Sequence, residues 1–140
     1  MFAMAETCTD PAPSGALFNR PVTVASINNH AEIVVTGDFN NDGTLDLAYA
    51  SQSLHAPDVI EWYSNIDGNG TFGQKKRVTV AFYVSNLVTG DFNNDGCLDL
   101  ASTSNELHGI NTISWFNNTD CLGTLWKEII VTKTDVLSHN

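Results

Sequence analysis

The sequence predicts an all-β, β-propeller-like fold: two four-stranded antiparallel blades, a partial third, and an open or fragmentary propeller. Three observations predict it. Residues 35–48, VTGDFNNDGTLDLA, return as residues 88–101, VTGDFNNDGCLDLA, at an offset of 53 residues with one difference, Thr44 against Cys97. The residues flanking both copies are β-branched or alternate between apolar and polar, which is the period of strands. Finally, a repeat of about fifty residues holding four short strands has the size of a propeller blade.

The elements follow in chain order. Residues 1–14, with Cys8, Pro11 and Pro13, show no periodicity and are expected to be poorly ordered. Residues 15–30 open with GALFNRPVTV, which looks like the turn and last strand that end the later units, so they read as a partial blade. The first full blade, 31–80, is expected to hold strands at Ile33–Thr36, Leu45–Ser51, Val59–Asn65 and Arg77–Val80. The second, 84–137, repeats them at Leu87–Thr89, Leu98–Ser104, Thr112–Asn118 and Ile130–Lys133. VIEWYSN thereby aligns with TISWFNN, placing Trp62 over Trp115 and Asn65 over Asn118. Alternation along the third strand puts one aromatic of each pair between blades, and leaves Tyr63 and Phe116 as the better candidates for contact with a sugar or protein.

The loop between the first two strands carries the chemistry. Asp38, Asn40 and Asp42, and in the second copy Asp91, Asn93 and Asp95, occupy alternate positions, so a tightly curved loop points three oxygens inward. Gly43 or Gly96 permits the turn, and Thr44 or Cys97 would then offer a backbone carbonyl, a role indifferent to the side chain. Asp46 or Asp99 completes a set of hard oxygen donors suited to calcium, two ions per chain. An EF-hand would need a Glu where Tyr49 and Ser102 stand, and helices where these strands are expected. A plain Asx-Gly turn would need fewer oxygens than the four that stand on alternate positions, twice.

The DFNNDGxLDL runs at 38–47 and 91–100, the WYSN and WFNN strands and the GNGTFG turn at 68–73 resemble the FG-GAP or VCBS repeat, the calcium-loop blade of integrin-type β-propellers and of many secreted proteins. The resemblance covers nearly all of residues 17–137. It lacks the Gly-Ala-Pro element of the integrin version, which leans it towards VCBS and gives no ground for an integrin's ligands. It implies structural calcium and a protein-interaction or adhesion role. A carbohydrate-binding, lectin-like propeller and an accessory region of a secreted enzyme are the alternatives. Two blades leave exposed edges and half-covered faces, so the chain is expected either to belong to a longer propeller or to self-assemble.

Composition narrows the partners. The net charge is −10, and Lys75, Lys76 and Arg77 form the only basic cluster, which argues against nucleic acid. No apolar run is long enough to span a membrane, and MFAMAE is too short for the apolar part of a signal peptide. A secreted location is expected nonetheless, because weak calcium loops fill where calcium is plentiful. Sequons at Asn69 and Asn117 fit export and glycosylation. Cys97 and Cys121 should lie at one end of a blade and form a disulfide, leaving Cys8 free or paired outside this segment. His55 and His108, also 53 residues apart, fall in loops at the opposite face, as inherited loop residues, ligand contacts or a zinc site shared between blades. No nucleophile elbow, phosphate loop or zinc-protease motif is present, and carboxylates that hold calcium cannot act as acid and base, so no enzyme is expected.

Overall fold

The computed structural model describes residues 23–26, 30–52, 57–81, 83–105 and 111–134. These form two four-stranded antiparallel sheets. The first runs β1 (His30–Gly37), β2 (Asp46–Gln52), β3 (Asp58–Tyr63) and β4 (Lys76–Ala81); the second runs β5 (Val84–Gly90), β6 (Asp99–Asn105), β7 (Asn111–Asn118) and β8 (Trp126–Thr134). In each sheet neighbours in space are neighbours in sequence, the meander that short connections favour. No helix occurs among the described residues. Most of the expected partial blade at 15–30, together with residues 1–14, His55 and His108, lies outside the described residues.

Register decides which side chains share a face. In the first sheet Ala48 pairs with Trp62 and Ala50 with Ile60, while Val35 and Ile33 pair with the same two alanines. These residues form one apolar face, because side chains alternate across a strand. In the second sheet Leu100 pairs with Phe116, and Leu87 with Ser102. The core is the contact between the two sheets: Phe39, Ala48, Ile60 and Trp62 of the first against Leu87, Leu100 and Phe116 of the second. Phe39 stands edge-on to Trp62 (5.8 Å) and to Trp126 (6.2 Å), the geometry that ring quadrupoles favour.

Glycines at the contact between the sheets make room for large side chains. Gly123 leaves room for the Trp62 indole, whose Cζ2 would stand 2.4 Å from a Cβ there, and Gly37 leaves room for Leu98, whose Cδ2 would stand 2.1 Å from a Cβ there. Two polar bonds then fix the relative setting of the sheets. Trp62 Nε1 donates to the carbonyl of Gly123 (3.0 Å), and Asn118 Nδ2 donates to the carbonyl of Phe39 (2.8 Å). Both are buried, where losing a partner costs most.

The outward face of the first sheet is polar by a different route. Tyr49 Oη donates to Glu61 (2.5 Å), which also accepts from Lys75 (3.0 Å) and Arg77 (3.3 Å). Burial raises the Glu61 pKa, but the hydrogen bonds of Tyr49 and Lys75 outweigh it and the net shift is downward. Burial and then Glu61 push the Tyr49 phenol well above its ordinary range. Tyr63 stacks on Tyr49 beside this group at 5.9 Å.

Candidate metal centre

Each candidate loop joins the first two strands of its sheet, β1 to β2 and β5 to β6. The two copies adopt one backbone conformation. Asn41 and Asn94 both have φ of 58°, while Gly43 and Gly96 have 84° and 86°. Glycine is the residue that takes that conformation without steric cost, and Asn is the side-chain-bearing residue that tolerates it best.

Internal hydrogen bonds hold the loop. Asp38 accepts the amides of Asp42 (3.0 Å) and Gly43 (2.8 Å), and Asp42 accepts the amide of Thr44 (2.8 Å) and its hydroxyl (2.6 Å). The second loop repeats the backbone bonds, Asp91 accepting from Asp95 and Gly96, and Asp95 from Cys97. Asn40 and Asn93 each donate through Nδ2 to the neighbouring carboxylate, Asp42 or Asp95, at 2.7 Å. The Thr44 hydroxyl, the Thr44 amide and Asn40 together lower the Asp42 pKa.

The ninth position does something the sequence did not foretell. Asp46 is fully buried, and its two oxygens accept the amides of Phe39 (3.0 Å) and Asn65 (2.9 Å), tying the loop to the end of β3. Burial pushes its carboxyl up, the two amides oppose this, and Asp42 and Asp38 add to it by like-charge repulsion. Asp99 is placed alike, with the amides of Phe92 (3.2 Å) and Asn118 (2.9 Å) and with Trp115 Nε1 (3.1 Å). Aspartate suits this position because its short, paired oxygens reach two orphan amides at once.

Asn65 and Asn118 were visible in the sequence only as an alignment. Each side chain clamps the turn that follows the third strand: Asn65 accepts from Gly70 (3.0 Å) and donates to Leu45 (3.1 Å), and Asn118 accepts from Gly123 (3.0 Å) and donates to Leu98 (3.2 Å). A second tie links loop to turn. Thr44 Oγ1 lies 2.9 Å from the carbonyl of Asn65, with Gly68 beneath it, whereas the equivalent pair Cys97 and Cys121 forms a disulfide with Cα atoms 4.9 Å apart. The second blade makes covalently the link that the first makes with a hydroxyl.

Among the described residues no three His, Cys, Asp or Glu side chains converge as a ready metal-holding group. The donor chemistry nonetheless suits a hard cation: Asp38, Asn40 and Asp42 lie at the surface-facing side of the loop, and carboxylates that accept one amide per oxygen keep further lone pairs. If an ion binds, these side chains and their copies at Asp91, Asn93 and Asp95 would hold it.

The aromatic assignment requires a correction. Phe116 is 1% exposed, packed between the sheets, and so is not available to a ligand; Trp115, expected in the core, is only partly buried on the opposite face. Alternation separates the two faces, but in the second blade the face that finds a neighbour is the Phe116 one. Tyr63 remains partly exposed, and Asn69 is exposed in its turn, while Asn117 is half-buried within β7.

Residues 38–102 match the FG-GAP-like repeat family. No curated protein and no solved structure matches the chain. The matched span opens on the first residue of the first loop, takes in the whole first sheet from β2 onward, and ends in β6 beyond the second loop. Residues 38–102 are therefore similar to an FG-GAP-like repeat, and the two four-stranded antiparallel sheets are consistent with propeller-like blades.

Proposed function

We propose that the chain is a calcium-stabilised, extracellular β-propeller-type module that acts by binding another protein, as in adhesion, and not by catalysis. The observation that carries it is the duplicated loop. Two segments 53 residues apart hold the same hard-oxygen donors on the same backbone, with the same amide-to-aspartate bonds. A divalent cation supplies the positive charge that such a loop otherwise draws from amides alone. Calcium in this reading is structural, fixing the loop that links β1 to β2 and its counterpart in the second blade. The Cys97–Cys121 disulfide supports an oxidising, extracellular setting.

The test is thermal unfolding with calcium and with chelator. Calcium should raise the melting temperature, and Asp42→Ala or Asp95→Ala should each remove about half of that rise, in addition to the loss that the missing loop hydrogen bonds cause in chelator. A variant that loses as much stability in chelator as in calcium would refute a ligand role for that aspartate.

A further inference from the structure

The second loop is fastened to its blade by a bond that the first loop lacks. In the first blade the Thr44 hydroxyl donates to the Asn65 carbonyl (2.9 Å), and Gly68 takes the left-handed position of the facing turn with φ of 70°. In the second blade the residues 53 positions on are Cys97 and Cys121, and a disulfide joins them. Cys97 follows Gly96, so its backbone carbonyl is the one that the seventh loop position would offer to an ion. Its amide is held by Asp95 at 2.8 Å. The covalent tie thus ends within the candidate calcium loop, between Asp95 and Asp99.

Two features make the second tie depend on the disulfide. A thiol is a weaker hydrogen-bond donor than a hydroxyl, so a reduced Cys97 does not reproduce the bond that Thr44 makes. Cys121 has φ of 54°, a conformation that its counterpart Gly68 adopts freely and that strains a residue bearing a Cβ. The disulfide holds Cys121 there against that preference, and without it the turn relaxes away from the loop. Asn118, whose carbonyl accepts the Cys121 amide (3.3 Å), gives its own amide to Asp99 (2.9 Å), so movement of the turn also reaches the ninth loop position.

We propose that the Cys97–Cys121 disulfide is a redox control on the second calcium site alone. Oxidised, it holds the loop ready for the ion; reduced, that site weakens, while the first site, tied by Thr44, keeps its affinity. The inference rests on the calcium reading above. The reductant is a dithiol, and its thiolate attacks Cys121 Sγ, since Cys121 is partly exposed and Cys97 is buried. The bond between the two sulfurs breaks, and its electron pair leaves on Cys97 Sγ, which takes up a proton. The reductant's second thiol then displaces Cys121 as a thiol and closes a disulfide within the reductant, so two electrons and two protons pass to the protein. Linkage makes the effect reciprocal: an ion held better by the oxidised loop makes that loop harder to reduce.

The test equilibrates the protein with graded ratios of reduced to oxidised dithiothreitol, in calcium and in chelator, and follows the Cys97 and Cys121 thiols by alkylation and peptide mass spectrometry. Calcium should raise the ratio needed for half-reduction by about tenfold, a coupling of ordinary size. Asp95→Ala should abolish that shift, and Asp42→Ala, in the first loop, should keep it. Each shift compares calcium with chelator within one variant, so stability lost in both conditions drops out. Calorimetric calcium titration of the reduced protein should find one site weakened by the same factor. Two calcium sites with no calcium-dependent shift, or a shift that Asp42→Ala removes as fully as Asp95→Ala, would overturn the proposal and leave the calcium reading standing. No calcium binding by the oxidised protein would overturn both.

Discussion

The two loops are the same object in different company. Within each, the backbone angles and the amide-to-aspartate bonds agree closely, yet Phe39 is 0% exposed and Phe92 is 47% exposed. The loop's conformation is therefore a local property, set by Gly and Asn at positive φ and by Asp side chains that absorb the turn's amides. Burial of its aromatic residue is a property of the stack, granted only where another sheet lies alongside.

The widest gap between the copies should appear at their tryptophans. Trp62→Ala empties the middle of the inter-sheet core and should cost about 3 to 5 kcal/mol, whereas Trp115→Ala, on the open face, should cost about 1 kcal/mol. Urea unfolding of both variants measures the difference. Equal losses would mean that the two faces are equally packed, and would contradict the burial of Trp62 against the second sheet.

Next comes the tie between loop and turn. The pair Cys97→Thr with Cys121→Gly rewrites the second blade in the chemistry of the first, exchanging a disulfide that closes 24 residues for a hydroxyl bond. The fold should survive with a loss of about 3 kcal/mol, the chain-entropy value for a loop of that order. Reduction of the wild type should produce a similar loss, and a reduced protein as stable as the oxidised one would show that the covalent tie adds nothing.

A smaller effect separates two equivalent positions, Glu61 and Ser114, by pH. Glu61, with its pKa lowered, contributes stability that is complete above its ordinary 4.5 and is lost as pH falls through the lower folded value. Lys75 and Arg77 are more than half exposed, so screening limits the worth of the pair, and Glu61→Gln should cost about 1 kcal/mol at pH 7 and flatten the acid limb of the stability curve. Ser114 holds the equivalent place in the second blade and donates to Glu128, so Ser114→Ala should leave that limb unchanged.

Much of this was legible in the sequence because the sequence contains its own alignment. The repeat places the strands to within a few residues, the Asp-x-Asn-x-Asp-Gly spacing marks the loop, and the positions of Cys97 and Cys121 relative to the loop and turn anticipate their proximity. What could not be read is which face of each blade meets another. Alternation says that Trp115 and Phe116 part company, and nothing in a strand's own residues says which of them is covered. The roles of Asp46 and Asn65 were hidden for a related reason: each depends on backbone amides and carbonyls supplied by turns about twenty residues away, which carry no side-chain signature. Asn65 and Asn118 did leave a trace, being the same residue at the same place, 53 residues apart, at the close of the third strand's segment in each unit.

The equality of the two loops can be measured directly by calorimetric calcium titration of the chelator-stripped protein. Two sites per chain, of affinity in the micromolar to millimolar range and within a few-fold of one another, are expected if identical loop backbones make identical sites regardless of what buries Phe39 and exposes Phe92. A single site would show that the surrounding stack, and not the loop, decides binding; no binding at all would leave the loops as turns held by their own aspartates and contradict the calcium reading.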